Sequence, residues 1–251
     1  MLAEFSSLTL VALAAGLLFA GAVKGALGVG LPLVGMPVLL LVLPAPTAVV
    51  VMAVPILLTN LWQMLAGGHV LENLRRFWPI ILFLAVGMFV GSRLLVTVDE
   101  GVLIAVLGAI LLGFSVLSLT RFRPAIPPRW HMRAQPLFGL AGGLIGGFST
   151  VFGPPVSMYL VAIGLQKDRF VSAVGTTFFA GSVALNLSLA ALPVYGVREG
   201  MMAMLACLPV CAGMALGQRL RAAIPQESFS RAVLLMLVAT SMILIWRGIG
   251  A

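Results

Sequence analysis

Two glycine-rich stretches that end in proline carry the residue types best suited to chemistry in this sequence. The first reads AGAVKGALGVGLP (Ala20–Pro32), and the second reads AGGLIGGFSTVFGPP (Ala141–Pro155). Glycine adopts backbone geometries that other residues avoid, and proline suits the first turn of a helix. We therefore expect each stretch to end one helix and to begin a short second helix. The residues that form these predicted breaks are Gly28, Gly30, Pro32, Gly153 and Pro154.

The chemistry expected at such a break is the binding of an anion. The free N–H groups of a helix that restarts carry partial positive charge, and Ser149 and Thr150 add hydroxyl donors to the second break. Inside a membrane, a broken helix must line a buried or watery cavity, because lipid satisfies no backbone polar group. The alternative is that the glycines only allow helices to pack closely.

Four further polar side chains lie within or beside apolar stretches. Asn60 and Asn186 occupy matching places 126 residues apart, and each amide needs a partner away from water. They either bind substrate or join helices by hydrogen bonds, and Gln63, within two turns of Asn60, can extend the same polar lining. Lys24 adjoins the first break, where it is either functional or a side chain that reaches the membrane surface.

Catalytic chemistry has no visible residues. His69 and His131 stand in predicted loops without a second ligand at metal-binding spacing, and no Ser–His–Asp set or phosphate-binding loop can be assembled. The sequence therefore predicts no enzyme, no catalytic residue, no metal and no cofactor. Because no acid lies in the middle of an apolar stretch, a coupled proton would travel on the substrate as its conjugate acid.

The elements that position these residues are membrane helices. Of 251 residues, 61% are hydrophobic and 9% are charged, whereas a soluble domain carries about a quarter charged residues. The net charge of +8 comes from cations in short loops and not from one polar face, which argues against a nucleic-acid partner and for a lipid bilayer. The fold class expected is an all-α polytopic membrane protein.

The apolar stretches divide into two matching halves. Ten segments flank a basic loop, RFRPAIPPRWHMR, and the second segment of each half, Leu31–Leu43 or Pro155–Leu165, is short. GSRL from Gly91 matches GQRL from Gly217 at the same offset of 126 that separates the two asparagines. We expect a first membrane repeat at 1–120, a basic linker at 121–133 and a second repeat at 134–251.

The distribution of the basic residues favours one membrane topology. If all ten segments cross the membrane and the N-terminus lies outside, only three of the fifteen cations fall outside: Arg93, Arg198 and Arg247. If the short segments dip in and return, leaving eight full spans, the division is eight against seven. The positive-inside rule favours the first arrangement, with the linker in the cytoplasm. Five segments per half would make the repeats inverted, as in many transporters.

The sequence resembles the TauE/SafE family of sulfite-exporter-like permeases over essentially its whole length. The resemblance rests on the N-terminal glycine-rich stretch ending in proline and on GLAGGLIGGFSTVFGPP in the second half. It implies a bacterial inner-membrane permease for small sulfur-containing anions such as sulfite, thiosulfate or sulfoacetate. The first break, GALGVGLP, has fewer adjacent glycines than is usual in the family and no hydroxyl pair, so the weight falls on Ser149–Pro155.

The function expected from these features is transport of a small anion between two broken helices by alternating access. A channel or facilitator for a small uncharged solute is one alternative, and a membrane scaffold subunit without transport activity is another. A homodimer is a possible assembly.

Overall fold

The computed structural model describes residues 6–120, 125–220 and 226–250, and within them it contains ten α-helices, one 3₁₀ turn at Pro128–Trp130 and no strand. This confirms the all-α expectation. The helices are α1 (Ser7–Leu27), α2 (Leu31–Leu40), α3 (Ala45–Gly67), α4 (Val70–Thr97), α5 (Glu100–Leu119), α6 (His131–Ser149), α7 (Gly153–Ala162), α8 (Lys167–Ala190), α9 (Val197–Leu220) and α10 (Gln226–Ile249).

Seven of these helices are long and apolar enough to cross a membrane: α1, α3, α4, α5, α8, α9 and α10. The chain is therefore a multi-pass membrane protein. Helices α2 and α7 have ten residues each, or about 15 Å at the α-helical rise, against a hydrocarbon core of about 30 Å. The predicted short second segment of each half is confirmed. Helix α6 begins at His131, inside the segment expected to be linker.

The described residues form two compact units that do not coincide with the two sequence repeats. Unit 1 takes its residues from Met1–Pro55, Val98–Thr120 and Val194–Ala251, and unit 2 from Ile56–Thr97 and Arg121–Pro193. Each unit thus contains helices from both halves of the chain. The repeat boundaries at 1–120 and 134–251 stay a prediction.

Unit 1 is built around direct contact between the backbones of α1 and α9. A Cβ atom placed on Gly21 would collide with the carbonyl oxygen of Val210, and one on Gly25 with that of Met214. Gly217 stands equally close to the Ala22 backbone. The numbers of the facing residues increase together along the two helices, so the helices run in the same direction. For these glycines the close-packing interpretation is correct.

Unit 2 repeats this arrangement with α4 and α6. A Cβ atom on Gly143 would collide with the Leu84 carbonyl, and one on Gly91 with the Leu144 carbonyl. Gly147 lies against the backbone of α4 one turn further along. Helices α4 and α6 therefore also run in the same direction. In both units the tight pair joins a helix of the first repeat to a helix of the second.

The short helix of each half folds back along the helix before it. In unit 1, Gly16 of α1 faces Val38 of α2, and Gly35 of α2 faces Ala20 of α1. In unit 2, Phe152 lies opposite Gly146, and the Tyr159 hydroxyl donates to the His131 carbonyl at 3.1 Å. Each pair is a helical hairpin whose closed end is the predicted break.

Helix α4 is kinked where a glutamine from α6 enters its hydrogen-bond ladder. Phe77 has non-helical angles (φ −110°, ψ 16°) and Pro79 follows it. The Ile80 N–H, which would normally donate to the Arg76 carbonyl four residues back, donates to Gln135 Oε1 at 3.3 Å. Gln135 Nε2 donates to that Arg76 carbonyl at 3.2 Å. One buried carboxamide therefore replaces the broken bond and fixes α6 on α4.

Candidate functional site

The break between α6 and α7 has the geometry that the sequence predicts. Helix α6 ends at Ser149 and is capped by Thr150, which has left-handed backbone angles (φ 63°, ψ −4°) and whose N–H donates to the Gly146 carbonyl at 2.7 Å. Helix α7 begins at Gly153, with Pro154 in its first turn. Three residues separate the two helices: Thr150, Val151 and Phe152.

The two hydroxyls at this break differ in their partners. Ser149 Oγ donates to the Ile145 carbonyl at 2.6 Å and accepts from the Val151 N–H at 3.2 Å. Its only proton is therefore committed to the protein, and the side chain stabilises the backbone of the break. Thr150 Oγ1 is fully buried and has no hydrogen-bond partner among the described residues. A buried hydroxyl without a partner is costly, and this oxygen keeps its full capacity to form a hydrogen bond.

Thr150 is also an unusual residue for its backbone conformation. A β-branched residue with positive φ is a genuine outlier, and such strain costs about 1–3 kcal/mol. At the α1–α2 break the same position, whose N–H closes the last turn of the helix, is Gly28 (φ 81°). Glycine would adopt this conformation without strain. The threonine side chain therefore lowers the stability of the fold at a position where glycine would be sufficient, as Gly28 is at the first break.

Proline limits the amide donors at both breaks. The first three residues of α7 are Gly153, Pro154 and Pro155, so only Gly153 offers one of the free N–H groups that open a helix. Helix α2 begins Leu31, Pro32, Leu33 and offers two. Side-chain donors must therefore supply much of any anion contact at the second break.

The α1–α2 break, in unit 1, lacks a hydroxyl but shares the same design. Gly28 ends α1, and Gly30 (φ 106°) begins α2 ahead of Pro32. The Gly28 N–H donates to the Lys24 carbonyl at 2.7 Å, as that of Thr150 does to the Gly146 carbonyl. The Lys24 side chain is 3% exposed, so it lies inside the protein and does not reach its surface.

Phe178 of α8 connects the second break to Asn60. Its ring packs edge-on against Phe152 with centroids 5.3 Å apart, and it lies where a Cβ atom on Gly153 would make contact at 3.2 Å. Its carbonyl accepts from Asn60 Nδ2 at 3.2 Å. Phe178 is the twelfth of the 24 residues of α8, so the break is level with the middle of a full-length helix. Nothing in the sequence singles out this phenylalanine.

The remaining predicted residues divide by their environment. Asn60 forms the interhelical hydrogen bond that was one of its two predicted roles, whereas Asn186 Nδ2 donates within its own helix to the Ser182 carbonyl at 2.8 Å. Gln63, one turn after Asn60, is 8% exposed, and its Oε1 atom lacks a partner among the described residues.

A polar cluster in unit 2 escaped the sequence analysis. Asn73 donates to Ser172 Oγ at 2.8 Å and to Thr176 Oγ1 at 3.2 Å, and the Ser172 hydroxyl donates to the Gly68 carbonyl at 2.6 Å. These bonds fasten the turn between α3 and α4 to α8. Asn73 stands among charged residues near the start of α4, which hides its burial from a sequence-based search.

Unit 1 contains a cavity of about 170 Å³ that is a poor site for an anion. It is lined by α1, α2, α3 and α9 through aliphatic and proline side chains such as Leu13, Leu39 and Pro209. None of the predicted site residues borders it. An apolar cavity offers an anion no hydrogen bond.

Comparison with known proteins identifies the family. The family model described as sulfite exporter TauE/SafE matches residues 12–244. No curated protein and no solved structure gave a match. The match covers nearly the whole chain, including both breaks and both tight helix pairs, and it confirms the resemblance found in the sequence. The chain therefore belongs to the TauE/SafE sulfite exporter family, which consists of membrane transporters and not of enzymes.

Proposed function

We propose that this transporter moves a small anion, a sulfur oxyanion or an organosulfonate such as sulfite, thiosulfate or sulfoacetate, by alternating access. The family description supports the sulfur oxyanion class. The observation that carries the proposal is the buried Thr150 hydroxyl, which has no partner in the described protein and lies beside the N-terminus of α7. A hydroxyl donor and a helix N-terminus both favour negative charge.

The contacts expected for the anion follow from the bonding of the break. Thr150 Oγ1 donates to one anion oxygen, and the Gly153 N–H donates to another. Asn60 of α3 donates to the carbonyl of Phe178, whose ring packs against Phe152 at the break, while Ser149 holds the backbone. A hydrogen bond to a charged group contributes about 1.5–3 kcal/mol, so a few such bonds give the weak, reversible binding that turnover requires.

The proposed location is the bacterial inner membrane, with the N-terminus outside and the basic linker in the cytoplasm. The hairpins support this topology, because α2 and α7 each return along the preceding helix. Each half then has five helices of alternating direction, an odd number, so its two ends lie on opposite sides of the membrane, which agrees with the distribution of cations.

The test removes the Thr150 hydroxyl while keeping its shape. Thr150→Val, reconstituted in liposomes, is expected to bind sulfite, thiosulfate or sulfoacetate about tenfold more weakly or worse, since it loses a hydrogen bond to a charge. Thr150→Ser retains the hydroxyl and should keep near wild-type affinity. Saturable uptake of the labelled anion measures the effect.

The matched control is Thr240→Val in α10, whose hydroxyl donates within its own helix to the Met236 carbonyl. It should transport normally. Wild-type affinity in Thr150→Val would exclude this hydroxyl from the site. Uptake that does not saturate would favour a channel, and a wild-type protein that neither binds nor transports these anions would favour a scaffold subunit.

A further inference from the structure

We propose that the bodies that move in the transport cycle are unit 1 and unit 2, each of which contains helices from both halves of the chain, and not the two sequence repeats. In this view α1 stays fixed to α9, and α4 stays fixed to α6, throughout the cycle. The inference rests on the proposed transport by alternating access. In many inverted-repeat transporters, by contrast, one repeat rocks against the other.

The first support is the absence of space between the paired backbones. On α1 and α9, four glycines (Gly21, Gly25, Gly213 and Gly217) each place the site of a Cβ atom on a backbone atom of the partner helix. Glycines spaced four apart on both helices form this contact, so neither surface presents a side chain at the crossing point. A shift of either helix would bring a side chain against a backbone that has no room for a methyl group.

Unit 2 provides the second support, because α4 and α6 also meet through close backbone contact at glycines. Gly87 and Gly91 of α4 face Gly143 and Gly147 of α6 with equally close backbone approach. The Gln135 carboxamide adds two hydrogen bonds between these helices, one to Ile80 and one to Arg76. Each of these close contacts, α1 with α9 and α4 with α6, joins a helix of the first repeat to a helix of the second. The repeats therefore cannot move apart as rigid bodies without breaking both contacts.

The third support is the place where the units meet along the chain. Among the ten described helices only α3 contributes to both units, and the boundary falls at Pro55. Proline inside a helix removes one backbone hydrogen bond and weakens the helix at that point. A bend of α3 at Pro55 would let each unit keep its internal packing.

The experiment cross-links each of the two helix pairs covalently. In a Cys207→Ser and Cys211→Ser background, the pair Ala22→Cys and Gln218→Cys joins α1 to α9, because Ala22 lies against Gly217 and Gln218 lies against Gly25. The corresponding pair Leu144→Cys and Ser92→Cys joins α6 to α4. After oxidation or treatment with a short bifunctional thiol reagent, both proteins should retain at least half of the anion uptake of their reduced forms.

A second arm tests the bend. Pro55→Ala should slow uptake several-fold, while the matched variant Pro37→Ala, which removes a proline from α2 inside unit 1, should have a smaller effect. Loss of uptake on cross-linking, restored by reductant, would overturn the proposal in favour of moving repeats. Normal uptake in both the cross-linked proteins and Pro55→Ala would also overturn it, because no bend would then be needed. Reduced proteins that carry no anion would instead refute the transport proposal itself and this inference with it.

Discussion

Thr150 combines an unusual backbone conformation with an unusual side-chain environment. Its backbone is in the left-handed region (φ 63°), and its hydroxyl is buried without a described partner. Both properties cost free energy in the empty protein. Strain of this kind is found where the surrounding structure enforces it for a purpose.

Thr150→Gly is therefore expected to separate stability from function. Glycine relieves the backbone strain and removes the orphaned hydroxyl, which should raise the stability of the folded protein by up to about 1–2 kcal/mol, partly offset by the entropy of glycine. Anion binding should fall as in Thr150→Val. Thermal unfolding in detergent and uptake in liposomes measure the two effects. A variant that is both less stable and fully active would contradict the role assigned to this residue.

Ser149→Ala should impair transport indirectly. Its loss leaves the Ile145 carbonyl and the Val151 N–H without the bonds that Ser149 Oγ makes, so the break loosens by about 1 kcal/mol or more. We expect a lower maximal rate with folding intact. The same outcome is expected for Asn186→Leu, which removes the half-buried amide. Unchanged uptake rates in both variants would remove these residues from the transport mechanism.

At the scale of helices, the sequence predicted the two breaks and not the partners of their side chains. Glycine and proline act on their own backbone, so GVGLP and VFGPP were sufficient to place helix ends near Gly28 and Thr150. Which hydroxyl is satisfied depends on the carbonyl one turn back in a folded helix, and the contact of Phe178 with the break depends on the packing of α8. Neither is a local property of the sequence.

Gln135 gives a test of how α4 and α6 are joined. Gln135→Leu removes the carboxamide that replaces the hydrogen bond between Ile80 and Arg76, which leaves the buried Ile80 N–H and the Arg76 carbonyl without these bonds. A cost of about 1–3 kcal/mol is expected for each buried group that loses its bond. The unfolding temperature should fall, and amide hydrogen exchange should increase near Ile80. Gln218→Leu, at an exposed position of α9, is the control and should unfold like the wild type.

At the scale of the molecule, the exchange of helices between repeats was beyond sequence analysis. The landmarks Gly91 and Gly217 were recognised as equivalent, and each faces a helix of the other half, Leu144 on α6 or Ala22 on α1. A glycine that permits close packing does not specify its partner. The repeat was therefore visible as a pattern, while the units that it builds required the fold.

The topology gives the last prediction, and it depends on the two hairpins. Because α2 returns along α1 and α7 along α6, we expect each half to consist of five helices of alternating direction, and the N-terminus and the linker should lie on opposite sides of the membrane. In a Cys207→Ser and Cys211→Ser background, Ser6→Cys should react with an impermeant maleimide from outside the cell, and Arg129→Cys only after the membrane is opened. Both positions are exposed. Labelling of both from the same side would mean an even number of helices of alternating direction in the first half, and the repeats would then be parallel and not inverted.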